Sequence, residues 1–302
     1  MRILMTNFAL MAVGGTEKWC WTMARELVRR EHRVEMFTYR AGEVAKRLEA
    51  IGVPVHTEVP AGPFDLVLCN HGICLNALPK GEWPIIFTSH GPHNPMEVPP
   101  KGADAYVAVT PEVRAGWAWM GMEMTVITNP VDLDEFYPDG PALEPPRVLS
   151  MCKIPVACNM VATACVRLGY PFEGVHYTQK PEWHMAAVIR RNDIVVGCGR
   201  SAYEGLACGK QVLVFDARNH RQPKADGWMT EANADDLFAR NCACRTKDLD
   251  WGVTEVTEAL LHAPVTRNWQ RNFAERNCNV RNKVDQYLEL ARSKGGLSDA
   301  NQ

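Results

Sequence analysis

DIVVGCGRSAYEGLACGKQVLVFD, residues 193–216, reads within 24 residues as strand, glycine turn, helix, glycine stop and second strand. Residues 193–196 and 211–215 are short β-branched or apolar runs of the kind that form strands buried on both faces of a parallel sheet. Between the first strand and the helix stand Gly197, Gly199 and Ser201, so the backbone can approach a ligand closely and the helix N-terminus can present N–H groups to an anion. Glu204 follows in the early helix, where a carboxylate can accept hydrogen bonds from sugar hydroxyls. Ser201 and Glu204 also have capping-box spacing, so the same carboxylate reads equally well as the cap of its own helix.

Working outward, strand-like and helix-like runs alternate from the first residue. Strands are expected at 2–8, 33–39, 53–59, 64–69, 84–89, 105–110 and 125–128, with helices at 16–30, 43–50 and 112–120. That order predicts a doubly wound, mostly parallel α/β sheet. The breaker-rich stretch PDGPALEPP marks a linker at 139–146 after a first Rossmann-like domain at 1–138. The pattern then restarts with strands at 147–152 and 175–178 and helices at 156–168 and 182–191, giving a second, shortened Rossmann-like domain at 147–265. Residues 235–292 read as wholly helical, and 266–302 as C-terminal helices packing back on the first domain. Ligands of open α/β sheets bind at the carboxyl ends of the strands, so two such domains are expected to face a central cleft.

At 302 residues the chain is long enough for two cores of roughly 100 to 150 residues each. Its net charge of −2 excludes bulk attraction to nucleic acid or an anionic membrane, although a local basic patch is compatible with it. No run approaches the ~20 apolar residues of a membrane span, and the N-terminus lacks the pattern of a signal peptide, so a cytoplasmic location is expected. The 11 cysteines are scattered mostly through apolar runs, which reads as buried free thiols; Cys242 and Cys244, with Cys278 further on, are the one candidate metal seed, but they lack a second paired ligand motif and no metal site is expected.

Polar residues gather where the carboxyl ends of the strands are expected. Gly14-Gly15-Thr16-Glu17 opens a helix after the first strand, Asn70 and His71 follow the fourth, and His90, Gly91, His93 and Asn94 follow the fifth. With Asn129-Pro130-Val131-Asp132 before the linker and Glu204-Gly205-Leu206-Ala207-Cys208-Gly209-Lys210-Gln211-Val212 in the second domain, the chain resembles the GT-B glycosyltransferases. It is most similar to the family 4 type, which uses nucleotide-diphosphate sugars. The glycine loop, the histidine after a strand, the Asn-x-Val-Asp segment and the Glu-(x)4-Gly-x-x-Val segment occur in the family's order and cover most of the chain. Two features depart from its pattern: Gly197 stands seven residues before Glu204, where the family usually carries a second glutamate, and Lys153 is the best single counterpart of the usual arginine and lysine.

The resemblance implies transfer of a hexose-type sugar from a nucleotide-diphosphate donor, such as a UDP-sugar, to a hydroxyl acceptor, with no cofactor and no metal. It places His90 and Glu17 in catalysis, Gly14, Gly15, Lys153, Gly199, Arg200, Ser201 and Arg218 around the donor, and Glu204 on its ribose. The first-domain loops offer His71, His93 and Asn94 to the acceptor, an envelope or small-molecule glycan, or a hydroxymethylated base in DNA. Arg218, His220, Arg221 and Lys224 are the cations that suit an anionic partner. The segment 112–120, with Trp117, Trp119 and Met120, reads either as core or as a peripheral membrane contact. A sugar-nucleotide epimerase and a non-catalytic nucleotide-sugar-binding protein are the competing functions.

Overall fold

A computed structural model describes residues 1–81, 83–140, 144–175, 182–217, 222–264 and 268–294. The first strand, β1 (Arg2–Thr6), shows why its run is continuously apolar. Ile3, Leu4 and Met5 are all 0% exposed, so both faces of the strand are covered. After β1 come β2 (Ala9–Leu10), α1 (Gly15–Arg29), β3 (Arg33–Phe37), β4 (Arg40–Ala41), α2 (Glu43–Ala50), β5 (Val55–His56) and β6 (Leu66–Asn70). The series continues with α3 (Gly72–Ala77), β7 (Ile85–Ser89), β8 (Ala105–Ala108), α4 (Pro111–Gly116) and β9 (Thr125–Val126). Seven of these strands form one wholly parallel sheet in the order β5-β3-β1-β6-β7-β8-β9, and β2 pairs with β4 in a separate short ribbon. The strand order reverses between β1 and β6, which makes the loops after those two strands the natural ligand-binding edge.

The second sheet is built from β10 (Val148–Ser150), α5 (Pro155–Leu168), β11 (Phe172–Gly174), α6 (Met185–Arg190), β12 (Ile194–Val196), α7 (Arg200–Ala207) and β13 (Gln211–Asp216). These are followed by β14 (Lys224–Trp228), α8 (Ala234–Ala239), β15 (Leu249–Asp250), α9 (Val253–Leu261), α10 (Trp269–Cys278) and α11 (Val280–Ser293). The sheet order is β11-β10-β12-β13-β14-β15, parallel as far as β13 and antiparallel beyond it. Its switch point lies between β10 and β12, at the Gly197 turn. Two Rossmann-like α/β units, the second with the shorter parallel sheet, are therefore present as expected.

Three expectations are corrected. The run 235–292 is not wholly helical, because β15 returns to pair with β14. Neither strand has an alternating apolar pattern, and the pairing is held instead by polar groups. The buried Asp226 Oδ1 accepts from the N–H groups of Thr246, Lys247 and Asp248 at 2.9, 2.6 and 3.3 Å, and Lys224 Nζ lies 2.9 Å from Asp250.

The division into units also differs from the boundaries at 138 and 147. The chain separates into Met1–Pro130 with the segment from Val280 onward, and Val131–Asn279. Val131, Leu133 and Phe136 belong to the core of the second unit. The Val131 N–H donates to Cys278 O at 2.7 Å, and the Arg271 guanidinium donates to the carbonyls of Leu133, Phe136 and Ala207. Of the expected linker, residues 141–143 lie outside the described residues.

The C-terminal helices divide accordingly. Phe273 and Ala274 of α10 sit in the core of the second unit, and only α11 returns to the first. There Tyr287 Oη lies 2.9 Å from Thr88 Oγ1, and Arg30 pairs with Asp285 and donates to Arg281 O.

Candidate functional site

In the first unit, Gly14 precedes α1 with extended backbone, φ −132°. A Cβ built on it would stand 2.2 Å from Glu17 Oε2, so glycine is what allows the glutamate to fold its carboxylate back over the turn. Thr16 Oγ1 donates to the same oxygen at 3.2 Å. Gly15, by contrast, has nothing within 4 Å of the corresponding position. Burial pushes the Glu17 carboxyl above its ordinary value of 4.5, against hydrogen bonds from its own backbone and Thr16 and attraction to His71, with repulsion from Glu97 adding to the rise.

Glu97 is the centre of the cluster. It ends a 3-10 turn, Pro95–Glu97, whose cap is Asn94, with Oδ1 accepting from Met96 N–H at 3.0 Å. The turn delivers a carboxylate, 3% exposed, to the ends of β6 and β7. Its Oε2 accepts the His90 N–H at 2.7 Å, and its Oε1 lies 3.5 Å from His71 Nε2. Burial would raise the Glu97 carboxyl, but the hydrogen bond from His71 together with the attraction and backbone N–H of His90 outweigh it and hold it below 4.5. Two carboxylates that both interact with His71 are thus moved in opposite directions, Glu17 up and Glu97 down.

His71 stands at the start of α3 with φ 67°, an uncommon conformation for a residue with a side chain, at the switch point of the sheet. Its Nδ1 accepts from Phe8 N–H at 3.1 Å, so the proton of the neutral ring is on Nε2, facing Glu97. At 6% exposure it sits within the cluster, with both ring nitrogens facing protein partners. Asn94 is likewise occupied in capping, while His93 beside it is exposed. His90 is half-buried, its Nε2 lies 3.1 Å from Asn70 Oδ1, and the edge of Trp19 packs on its ring at 5.5 Å between centroids. Cys20, also in contact with Asn70, is pushed well above its ordinary value by burial and by Glu17, which keeps it a neutral thiol.

In the second unit the glycine turn leads directly into α7. Gly199 is the N-cap, at φ 60° and ψ −125°, a backbone conformation that is essentially glycine's alone. Gly205 lets α7 lie close on the sheet, since a Cβ there would meet Val212 at 3.0 Å and Val195 at 3.2 Å. With Gly199 as cap, Ser201 is the second helical residue and Glu204 the fifth, so the capping box does not form. Glu204 is 3% exposed and its Oε1 receives Arg200 Nε at 2.8 Å. Ser201 is itself buried, at 1% exposure.

The turn is buttressed from below by the loop 241–244. Cys242 O accepts Gly199 N–H at 3.0 Å, Asn241 Oδ1 accepts Tyr203 Oη–H at 2.7 Å, and the Cys198 and Cys244 sulfurs lie 2.8 Å apart. Three residues of this loop, Asn241, Cys242 and Cys244, have positive φ.

Lys153 is exposed at the end of β10, and its N–H donates to Asp216 Oδ2 at 3.1 Å. Asp216, fully buried at the end of β13, also receives Ala217 N–H at 2.7 Å, and so ties the two strand ends together. Its position directly after the apolar run QVLVF was the available signal. Arg218, His220 and Arg221 lie outside the described residues. Lys224 is not a loop cation but part of β14, paired with Asp248 and Asp250.

Trp117 is core, 6% exposed with Nε1 donating to Ser89 Oγ at 2.8 Å, whereas Trp119 is 75% exposed. Among the described residues no group of three or more His, Cys, Asp and Glu is arranged to hold a metal, and no helix is long and apolar enough to cross a membrane.

No protein-family model matches the chain, and no curated protein matches it by sequence. Solved structures do match in fold. The chain is similar to HepE of Anabaena, crystallised with UDP and glucose, at TM-score 0.60 and 16% identity, over 97% of this chain and 100% of that one. It is similar to AviGT4, a glycosyltransferase involved in avilamycin A biosynthesis, at TM-score 0.59 and 15% identity over 97% of each chain. An α-glucosyltransferase crystallised with UDP and a 13-mer DNA containing an HMU base matches at TM-score 0.56 and 10% identity, over 96% of this chain and 98% of that one. The fold is accordingly the GT-B fold of two Rossmann-like units.

Proposed function

We propose that this protein is a glycosyltransferase of the family 4 type, moving a hexose-type sugar from a UDP-sugar or related nucleotide-diphosphate donor to a hydroxyl. The observation that carries the reading is Glu204, a carboxylate 3% exposed and held by Arg200, on a helix that springs from a glycine turn at the switch point of the second sheet. With Gly199 as the N-cap, Glu204 is too far into α7 to cap it, and a carboxylate held at that turn can accept hydrogen bonds from the hydroxyls of a ribose.

In this reading the departing diphosphate accumulates negative charge beside Lys153, Arg200 and the N-terminal dipole of α7. Preorganised positive charge at the leaving group lowers the barrier without a metal. Gly199 and Ser201 line the turn, and Arg218 is the further cation that follows β13. In the first unit Glu17 and His90 serve the acceptor hydroxyl, with Gly14 and Gly15 admitting substrate to the backbone and His93 and Asn94 at the rim. The 11 buried free thiols support a reducing, cytoplasmic setting, and Trp119 is the side chain that would make any peripheral membrane contact.

The acceptor class we favour is a glycan or small molecule, AviGT4 being a glycosyltransferase of avilamycin A biosynthesis, with hydroxymethylated DNA as the second choice, raised by the α-glucosyltransferase crystallised with DNA containing an HMU base. The test is a thermal-shift and turnover screen over nucleotide-diphosphate sugars, with glycans, sugars and hydroxymethylated DNA as acceptors. A donor-specific shift with acceptor-accelerated nucleotide release is expected. Conversion of the donor without an acceptor would identify an epimerase, and binding without turnover a degenerate site.

A further inference from the structure

Within the first unit, three amide and imidazole side chains form a directed chain whose starting point is unambiguous. The carbonyl of Ala9 can only accept, and Asn7 Nδ2 donates to it at 2.6 Å, so the other end of that amide, Oδ1, is an acceptor. Asn70 Nδ2 faces Asn7 Oδ1 at 3.5 Å, the longest link, and also reaches Cys20 Sγ at 3.5 Å. With its nitrogen turned that way, Asn70 presents Oδ1 to His90 Nε2 at 3.1 Å. A carbonyl oxygen accepts, so the imidazole nitrogen must donate. Asn7 and Asn70 are both 0% exposed, which removes the water that would let either amide turn over. The backbone of His90 is held independently, by its N–H on Glu97 Oε2 at 2.7 Å.

We infer that Asn7 and Asn70 are positioning residues that lock the neutral His90 ring in its Nε2–H tautomer and so make Nδ1 its basic nitrogen. The inference deepens the reading of His90 as the histidine of the acceptor reaction and rests on that reading for its consequence, but not for its physical content. A histidine acting as general base needs its lone pair on the nitrogen that faces the substrate, and the partner of the other nitrogen sets which one that is. Here that partner is an amide whose direction is inherited, through a second amide, from a backbone carbonyl of the β2 ribbon. The same geometry explains why two asparagines are buried at the ends of β1 and β6, where apolar side chains would otherwise fill the space.

The test is long-range proton–nitrogen correlation NMR of the full chain labelled with nitrogen-15 histidine, with the His90 signals assigned by their absence in His90→Gln. The expected result is a pure Nε2–H pattern in the wild type, kept in Asn70→Asp, whose oxygen still accepts. It becomes a mixture of tautomers in Asn70→Ala and in Asn7→Ala, which frees the Asn70 amide to turn. An Nδ1–H pattern in the wild type, or a pure Nε2–H pattern in Asn70→Ala, would overturn the inference. The wild-type spectrum decides even if a variant fails to fold. In nucleotide-release assays Asn70→Ala is expected to lose about 100-fold, the scale of general-base catalysis, with Asn70→Asp restoring most of it. The spectrum is read without substrate, so wild-type turnover in His90→Gln would overturn the role given to His90 while the tautomer pattern separately decides the relay.

Discussion

Gly14→Ala separates the stability of the first unit from its chemistry. Gly14 has extended backbone that alanine adopts freely, so the substitution meets no dihedral strain. What it does meet is Glu17. The new Cβ would stand 2.2 Å from Oε2, and real Cβ contacts do not fall below 3.0 Å, so the carboxylate has to retreat by about 0.8 Å or more. The obstacle is the far end of a flexible side chain, which swings away at little cost. Replacing glycine by alanine at an N-cap costs about 0.5–1 kcal/mol, and the lost chain entropy of glycine returns about 0.4–1 kcal/mol. The two nearly cancel, and a Tm within about 3 °C of wild type is expected.

Turnover is expected to behave differently, because on the role proposed for Glu17 a displacement approaching 1 Å costs on the order of 100-fold. The assay is nucleotide release at saturating donor, with Tm measured on the same preparations. Glu17→Gln and the double variant complete the cycle. If Gly14 matters only through Glu17, the double variant loses no more than Glu17→Gln alone. Additive losses, or a Gly14→Ala enzyme within threefold of wild-type turnover, would refute the argument that this glycine exists to admit the carboxylate.

Three further outcomes follow from the geometry. Glu97 is held below the ordinary carboxylate value of 4.5 in the folded chain, so its ionisation stabilises the fold above that value and the contribution is lost as pH falls through the lower, folded value. Below about pH 4.5 the Tm of the wild type should therefore fall more steeply than that of Glu97→Gln, and parallel curves would remove the claimed linkage. Glu204→Gln gives up a hydrogen bond to an ionised partner, worth about 1.5–3 kcal/mol, so calorimetry should show donor affinity weakened by roughly 10- to 100-fold, and an unchanged Kd would take Glu204 away from the donor. Gly197→Glu supplies the residue usual in family 4, but its Cβ would lie 3.1 Å from Ser201 Cβ and 3.3 Å from Met151 Cβ, so a lowered Tm without gain in turnover is expected, and a more active enzyme would contradict the packing.

What could be read from the residues alone was whatever the backbone imposes locally. Strands buried on both faces, such as β1 and β13, show as unbroken apolar runs, and the Gly197–Gly199 turn shows because only glycine takes φ 60° with ψ −125°. Strands without an apolar run gave no such signal: KADGW is a strand because it pairs antiparallel with β13, and the carboxylate of Asp226 gathers three N–H groups from the loop before β15. The boundary at Pro130 was hidden for a similar reason, since a proline-rich stretch announces a break in regular structure but not which core its neighbours join. Val131, Leu133 and Phe136 are apolar in either case, and packing decided.

The site divides along the same line. That His71, His90 and Glu17 lie at one sheet edge follows from strand order, because every loop after a parallel strand emerges at the carboxyl end. Their roles do not follow from that order, since a role depends on which atom faces which. His71 and His90 are both histidines one residue beyond a strand, yet one spends Nδ1 on Phe8 N–H and Nε2 on Glu97, while the other meets the carbonyl oxygen of Asn70. The difference originates in side chains far apart in sequence, Asn7, Asn70 and Glu97, which have no joint signature in a single chain. Position at such a site is a property of topology, whereas chemistry is a property of hydrogen-bond direction. That is why substitutions that preserve shape and change only donors and acceptors, asparagine to aspartate and glutamate to glutamine, are the ones that test it.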